Sequence, residues 1–123
     1  MARKYVLVAM VAAVLALGGL VPGPAAAHAV LLESSPPPKA EVLGSKVEFN
    51  LRYNSRVDAK RSRLSLQSPN GTRNLEVRQG KSEAELSARA EGLSPGQHVL
   101  HWDVLSVDGH VSRGVLPFMT FEK

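Results

Sequence analysis

The chain has 123 residues, no cysteine and a formal net charge of +4. Without cysteine there is no disulfide support, no thiolate metal ligand and no thiol nucleophile. The basic balance lies partly in the N-terminal segment: setting aside Arg3 and Lys4 leaves 13 of the 15 basic residues against 11 acidic ones, a net +2, too weak to attract nucleic acid. The one basic cluster, Lys60, Arg61 and Arg63 with Arg56 nearby, lacks the interleaved aromatics that a single-strand binder stacks on, and reads as a solvated loop and strand edge.

In chain order, Arg3 and Lys4 precede an apolar run of 16 residues from Val6 to Val21. Pro22-Gly23-Pro24 breaks it, and Ala25-Ala26-Ala27 supplies the small residues a signal peptidase needs. The run is short for a bilayer span, which takes roughly 20 apolar residues. Residues 1–27 are therefore predicted to be a cleaved signal peptide. Residues 28–123 form one small domain of 96 residues, beginning at His28 and lying in the periplasm or secreted.

The mature segment reads as strands throughout. A first strand precedes Pro36-Pro37-Pro38, which make a stiff extended bend. Val47, Phe49, Leu51 and Tyr53 alternate with polar residues, the two-residue period of a half-buried strand. Leu64 and Leu66 continue it, Asn70-Gly71 signals a hairpin, and Leu75 and Val77 lie on the return. A turn at Gln79-Gly80-Lys81 precedes a weaker strand with Leu86, Ala88 and Ala90. A helix over Glu83–Ala90 is barely two turns and too short to stand. Gln97–Ser106 is the strongest strand, with His98, Leu100, Trp102 and Val104 on its inner face and His101 on the outer. Val107-Asp108-Gly109-His110 is a turn, and Gly114–Phe121 the last strand. Short strands at regular spacing predict an all-β Greek-key sandwich.

Four histidines follow the leader: His28, His98, His101 and His110. A terminal histidine offers two nitrogens, its α-amine and ring Nδ1, which close a chelate on one metal. The α-amine pKa near 8 makes its proton easy to displace. A second imidazole gives three nitrogens in a plane, which suits a tetragonal Cu(II) centre. Asp108 adds a carboxylate, and Gly109 lets the backbone turn so that Asp108 and His110 converge. On spacing alone, this ligand set and an ordinary surface turn both remain open. Ser106 near Asp108 and His110 is no hydrolase triad, because residues on one strand-turn cannot reach that geometry; it shapes the loop or bonds behind a ligand. His98 reads as a hydrogen-bonded core residue, Met119 as filling the core or an edge, and Glu33 as a solvated acid.

The segments HAVLLESSPPPKAEV and LSPGQHVLHWDVLSVDGHVSRGVLPFMTF resemble the opening and closing segments of the CopC family of periplasmic copper-binding proteins; VEFNLRYNSRVD fits more loosely. The resemblance implies a seven-stranded Greek-key β-sandwich or barrel, cupredoxin- or immunoglobulin-like. It implies one Cu(II) per chain, held by His28 through amine and ring with Asp108 and His110. The expected role is buffering or carrying copper for resistance or import, without turnover, by a monomer that meets a membrane importer of the CopD type and binds no nucleic acid. Some family members add a methionine-rich Cu(I) site; after the leader this chain has only Met119, so Cu(II) alone is expected. Two alternatives differ in kind. A copper-dependent oxidase or oxygenase needs an open oxygen position and a broad substrate surface, for which a chain with one tryptophan has little room. A metal-free immunoglobulin-like interaction domain would make His28 accidental.

Overall fold

The computed structural model describes residues 29–123, so the leader expected at 1–27 and the proposed ligand His28 lie outside the described residues. Nine strands follow in order: β1 (Leu31–Ser35), β2 (Ala40–Leu43), β3 (Val47–Tyr53), β4 (Arg63–Ser68), β5 (Gly71–Leu75), β6 (Arg78–Gln79), β7 (Glu85–Ala90), β8 (Gly96–Leu105) and β9 (Val111–Phe121). They form two sheets, ordered β1-β3-β7-β6 and β2-β9-β8-β4-β5. Among the described residues no helix is long and apolar enough to cross a membrane.

The core lies where the alternation places it. Phe49, Leu51 and Tyr53 of β3 and Leu86 of β7 face Leu64, Leu66, Leu100, Val104, Leu116 and Phe118 from the other sheet, all buried. Two aromatic pairs join the sheets edge to face: Phe49 with Phe118 at 5.5 Å and Tyr53 with Trp102 at 5.4 Å between centroids. Burial pushes the Tyr53 phenol far above its usual range.

The sandwich has nine strands rather than the expected seven. The two additions, β2 and β6, carry little signal of their own. β2 is four residues between the proline bend and Gly44, and it pairs in parallel with the end of β9, Ala40 opposite Phe118 and Leu43 opposite Phe121. The chain thus leaves one sheet after β1, turns through Pro36–Lys39, and joins the other; the amide of Lys39 donates to the Pro117 carbonyl at 2.7 Å. β6 is two exposed residues paired with Ser87 and Leu86. β9 also starts earlier than expected, at Val111, because Val111, Ser112 and Arg113 pair with Leu105, Val104 and Asp103. Gly114 therefore sits inside the strand. A β-carbon there would lie 2.2 Å from Cζ2 of Trp102, so this glycine makes room for the indole.

Candidate metal centre

The inner face of β8 runs Trp102, Val104, then Ser106, which is buried and bridged to Val57. Beyond it the chain must reverse into β9. Gly109 takes φ +94°, a left-handed value that glycine adopts without strain. The turn closes through the Gly109 amide donating to the Ser106 carbonyl and the Ser106 amide donating to the His110 carbonyl, both at 2.9 Å. This geometry swings Asp108 and His110 to the same side. His110 Nδ1 lies 3.3 Å from Asp108 Oδ1, with both side chains about half exposed. The Ser106 hydroxyl donates to Asp108 Oδ1 from beneath and also lies 3.1 Å from the His110 carbonyl. The His110 amide approaches the same carboxylate oxygen at 3.4 Å. The Ser106 hydrogen bond, more than the ring and amide of His110, holds the Asp108 carboxyl below its usual range, against a partial loss of water that would raise it. An ionised carboxylate beside an imidazole is a pair of donors that one divalent transition metal can bind together.

The start of the described chain is pinned nearby. Ala29 is 3% exposed and belongs to the core. The Val30 amide donates to Asn54 Oδ1 at 2.8 Å, and the Val30 carbonyl accepts from the Asn54 amide at 3.0 Å. The segment that follows Asn54 bonds to the Asp108 side of the molecule: the Arg56 carbonyl accepts from the Val107 amide at 3.1 Å, and the Asp58 amide donates to the Leu105 carbonyl at 2.8 Å. Ser62 completes this support, its hydroxyl donating to the Asp58 carbonyl at 2.6 Å and accepting from the Leu105 amide at 3.1 Å. Sequence reading passed over Asn54 and Ser62, and took Arg56 only as a neighbour of the basic cluster. An asparagine after a strand reads simply as a turn residue, and a backbone carbonyl leaves no trace in side-chain identity.

Of the proposed ligands, the structure brings Asp108 and His110 together. Among the described residues no group of three or more histidine, aspartate or glutamate side chains converges as a metal cage. His98 is a core residue, as expected: Nδ1 faces the Ser68 hydroxyl at 2.8 Å, Nε2 faces Thr120 Oγ1 at 2.9 Å and the Ser94 carbonyl at 3.1 Å, and its ring stacks on Phe118. Eight residues of extended strand, roughly 26 Å, separate it from Ser106. His101 lies on the outward face and bonds Gln67 Oε1 through Nε2 at 3.0 Å. Glu33 pairs with Arg52 at 3.0 Å, and Arg56 and Arg61 of the basic cluster pair with Glu83 and Asp58. Met119 sits half-buried on β9 opposite Glu41. An open groove of about 720 Å³ on the other sheet lies away from this turn; of the charged residues along it, Arg78 pairs with Glu76 and Arg89 with Glu48.

Residues 31–120 match the model of the CopC domain, a span that includes Asp108 and His110. The chain belongs to the CopC family. Among solved structures, CopC from Methylosinus trichosporium OB3b is similar at 28% identity and a TM-score of 0.69, over 77% of this chain and 95% of that one. PcoC, a methionine-rich copper resistance protein from Escherichia coli, shares the fold at 19% identity and a TM-score of 0.63, over 77% of this chain and all of that one. No curated protein matches. Two marks of the CopC resemblance now have physical reasons in this chain. In its Gly-x-x-x-Phe run, Gly114 accommodates Trp102 and Phe118 packs on Phe49 and His98. In its Ser-x-Asp-Gly-His run, Ser106 holds the carboxylate that Gly109 turns toward His110.

Proposed function

We propose that this CopC-family chain binds one Cu(II) outside the cytoplasm and carries or buffers it, with no turnover. Residues 1–27 are removed as a signal peptide, and His28 becomes the first residue. Its amine and ring nitrogen, with Asp108 and His110, make a nitrogen-rich donor set of the tetragonal kind that Cu(II) favours over other divalent ions. The observation that carries this reading is the convergence of Asp108 and His110 at 3.3 Å on a turn held from below by Ser106. Two further facts support it. His28 precedes Val30 by two positions in the sequence, and Val30 is tied to the segment that also supports the Asp108 turn. The soft thioether ligands that Cu(I) prefers are scarce, with Met119 the one methionine beyond position 10. The cargo passes to a membrane importer of the CopD type, and the chain works as a monomer.

The test is a Cu(II) titration, against a competing chelator, of protein beginning at His28. One equivalent binds tightly. His28→Ala and His110→Ala each weaken binding by more than the roughly 10–100-fold typical of an outer-shell partner. A His110→Ala protein that holds Cu(II) as tightly as the parent contradicts the reading.

A further inference from the structure

We infer that Asn54 is a positioning residue for the metal chelate, a clamp that fixes the start of the mature chain against the turn carrying Asp108 and His110. The inference rests on the chelate proposed above and adds what holds it in place. Chain ends fray unless tied down, and a chelating group that moves freely must lose that freedom when it binds. Here the sheet ladder weakens just where the tie is needed. β1 pairs with β3 regularly from Glu33 onward, but its register slips between Leu31 and Glu33, a bulge that re-aims the strand's first residues. Val30 lies beyond that slip and is 53% exposed, so packing at this position does not anchor it, and the buried Ala29 beside it contributes only a methyl group to the core. Asn54 anchors it instead at both backbone groups, taking the Val30 N–H on Oδ1 at 2.8 Å and giving its own N–H to the Val30 carbonyl at 3.0 Å.

The same short segment reaches the other half of the site. Two residues after Asn54, the Arg56 carbonyl accepts the Val107 amide, then Val57 bridges Ser106 and Asp58 donates to Leu105. Residues 54–58 thus bond the terminal segment at one end and the base of the ligand turn at the other. They set the spacing between two parts of the site that are far apart in sequence. Asn54 itself is exposed, so replacing it leaves the core intact.

The experiment compares Cu(II) affinity and the Cu(II) electron paramagnetic resonance spectrum of four proteins: the chain from His28, its Asn54→Leu and Asn54→Asp variants, and a form with one alanine added before His28. Asn54→Leu removes the acceptor; Asn54→Asp keeps it. Asn54→Leu is expected to weaken Cu(II) binding roughly tenfold, the scale of one well-placed hydrogen bond. Its spectrum loses nitrogen character while thermal unfolding of the metal-free protein stays within a few degrees. Asn54→Asp restores affinity and spectrum. In the alanine-extended protein, which lacks the chelate, Asn54→Leu costs nothing further. If the extension weakens binding but Asn54→Leu does not, or if Asn54→Asp fails to restore it, the clamp is overturned and the chelate stands. If the extended protein binds like the parent, the chelate itself fails and the clamp with it. If Asn54→Leu weakens binding equally with and without the extension, its effect is general and the positioning role is overturned.

Discussion

Ser106 connects packing to chemistry at a single residue. Its position one residue past β8, in line with that strand's inner face, buries it, yet its hydroxyl serves the turn above by bonding Asp108 beside the His110 carbonyl. Ser106→Ala removes that bond and leaves the turn's backbone pairing. Cu(II) affinity is expected to fall several-fold, with folding stability lower by about 1 kcal/mol; chelator competition and urea unfolding read the two separately. Ser106→Thr keeps a hydroxyl and recovers part of the affinity. His98 carries a different kind of consequence. Burial, more than the opposing hydrogen bond to the Ser94 carbonyl, lowers its pKa below 6.5. The unfolded chain therefore takes up a proton there more readily than the folded one. Stability from this group is fully present above about pH 6.5 and is lost as pH falls through that value toward the lower folded one. Urea unfolding is expected to show a midpoint that declines from pH 7.5 to pH 5. His98→Phe is expected to cost about 1–2 kcal/mol at pH 7.5, because Ser68 and Thr120 lose their partner, and to flatten that decline. A wild-type midpoint that rises on acidification contradicts the burial account.

At the scale of elements, the long strands were plain in the sequence because each alternates over many residues. β3, β8 and the second half of β9 bury the faces their pattern marks, and the hairpin signalled by Asn70-Gly71 forms with Pro69 and Asn70 as its central residues and Gly71 already paired with Ser68. β2 was hidden because its four residues are too few to show a period, and its partner, the end of β9, is distant in sequence. The early start of β9 was hidden because Gly114 reads as a strand breaker, while its purpose is the indole of Trp102 across the ladder. The turn at Asp108 was legible because Asp-Gly is a common turn pair, whatever its side chains bind. The Asn54 tie was not, since its partner Val30 is 24 residues away and contributes only backbone atoms. Gly114→Ala tests the strand-level account directly. The added methyl meets three indole carbons at 2.9 Å or less, and overpacking of this kind costs about 1–3 kcal/mol. For a domain of this size that lowers Tm by roughly 4–8 °C per kcal/mol, readable by circular dichroism; an unchanged Tm means the indole does not depend on that space.

For the whole molecule, two sheets packed through Phe49–Phe118 and Tyr53–Trp102 form a frame without disulfides. The segment after β3 bonds Val30 near the chain start at one end and the base of the β8–β9 turn, which carries Asp108 and His110, at the other. A metal ion held between the chain start and that turn, as proposed, stabilises the folded state by mass action. Copper at 100 times its Kd is expected to add about 2.7 kcal/mol, raising Tm by on the order of 10 °C, and a chelator reverses the gain. The alanine-extended protein, lacking the terminal chelate, shows little of this rise. The deciding measurement is native mass spectrometry of the protein as its host exports it in the presence of copper. The account predicts a chain that begins at His28 and carries one copper ion. A chain that begins at any other residue, or one that begins at His28 and emerges without copper, contradicts it.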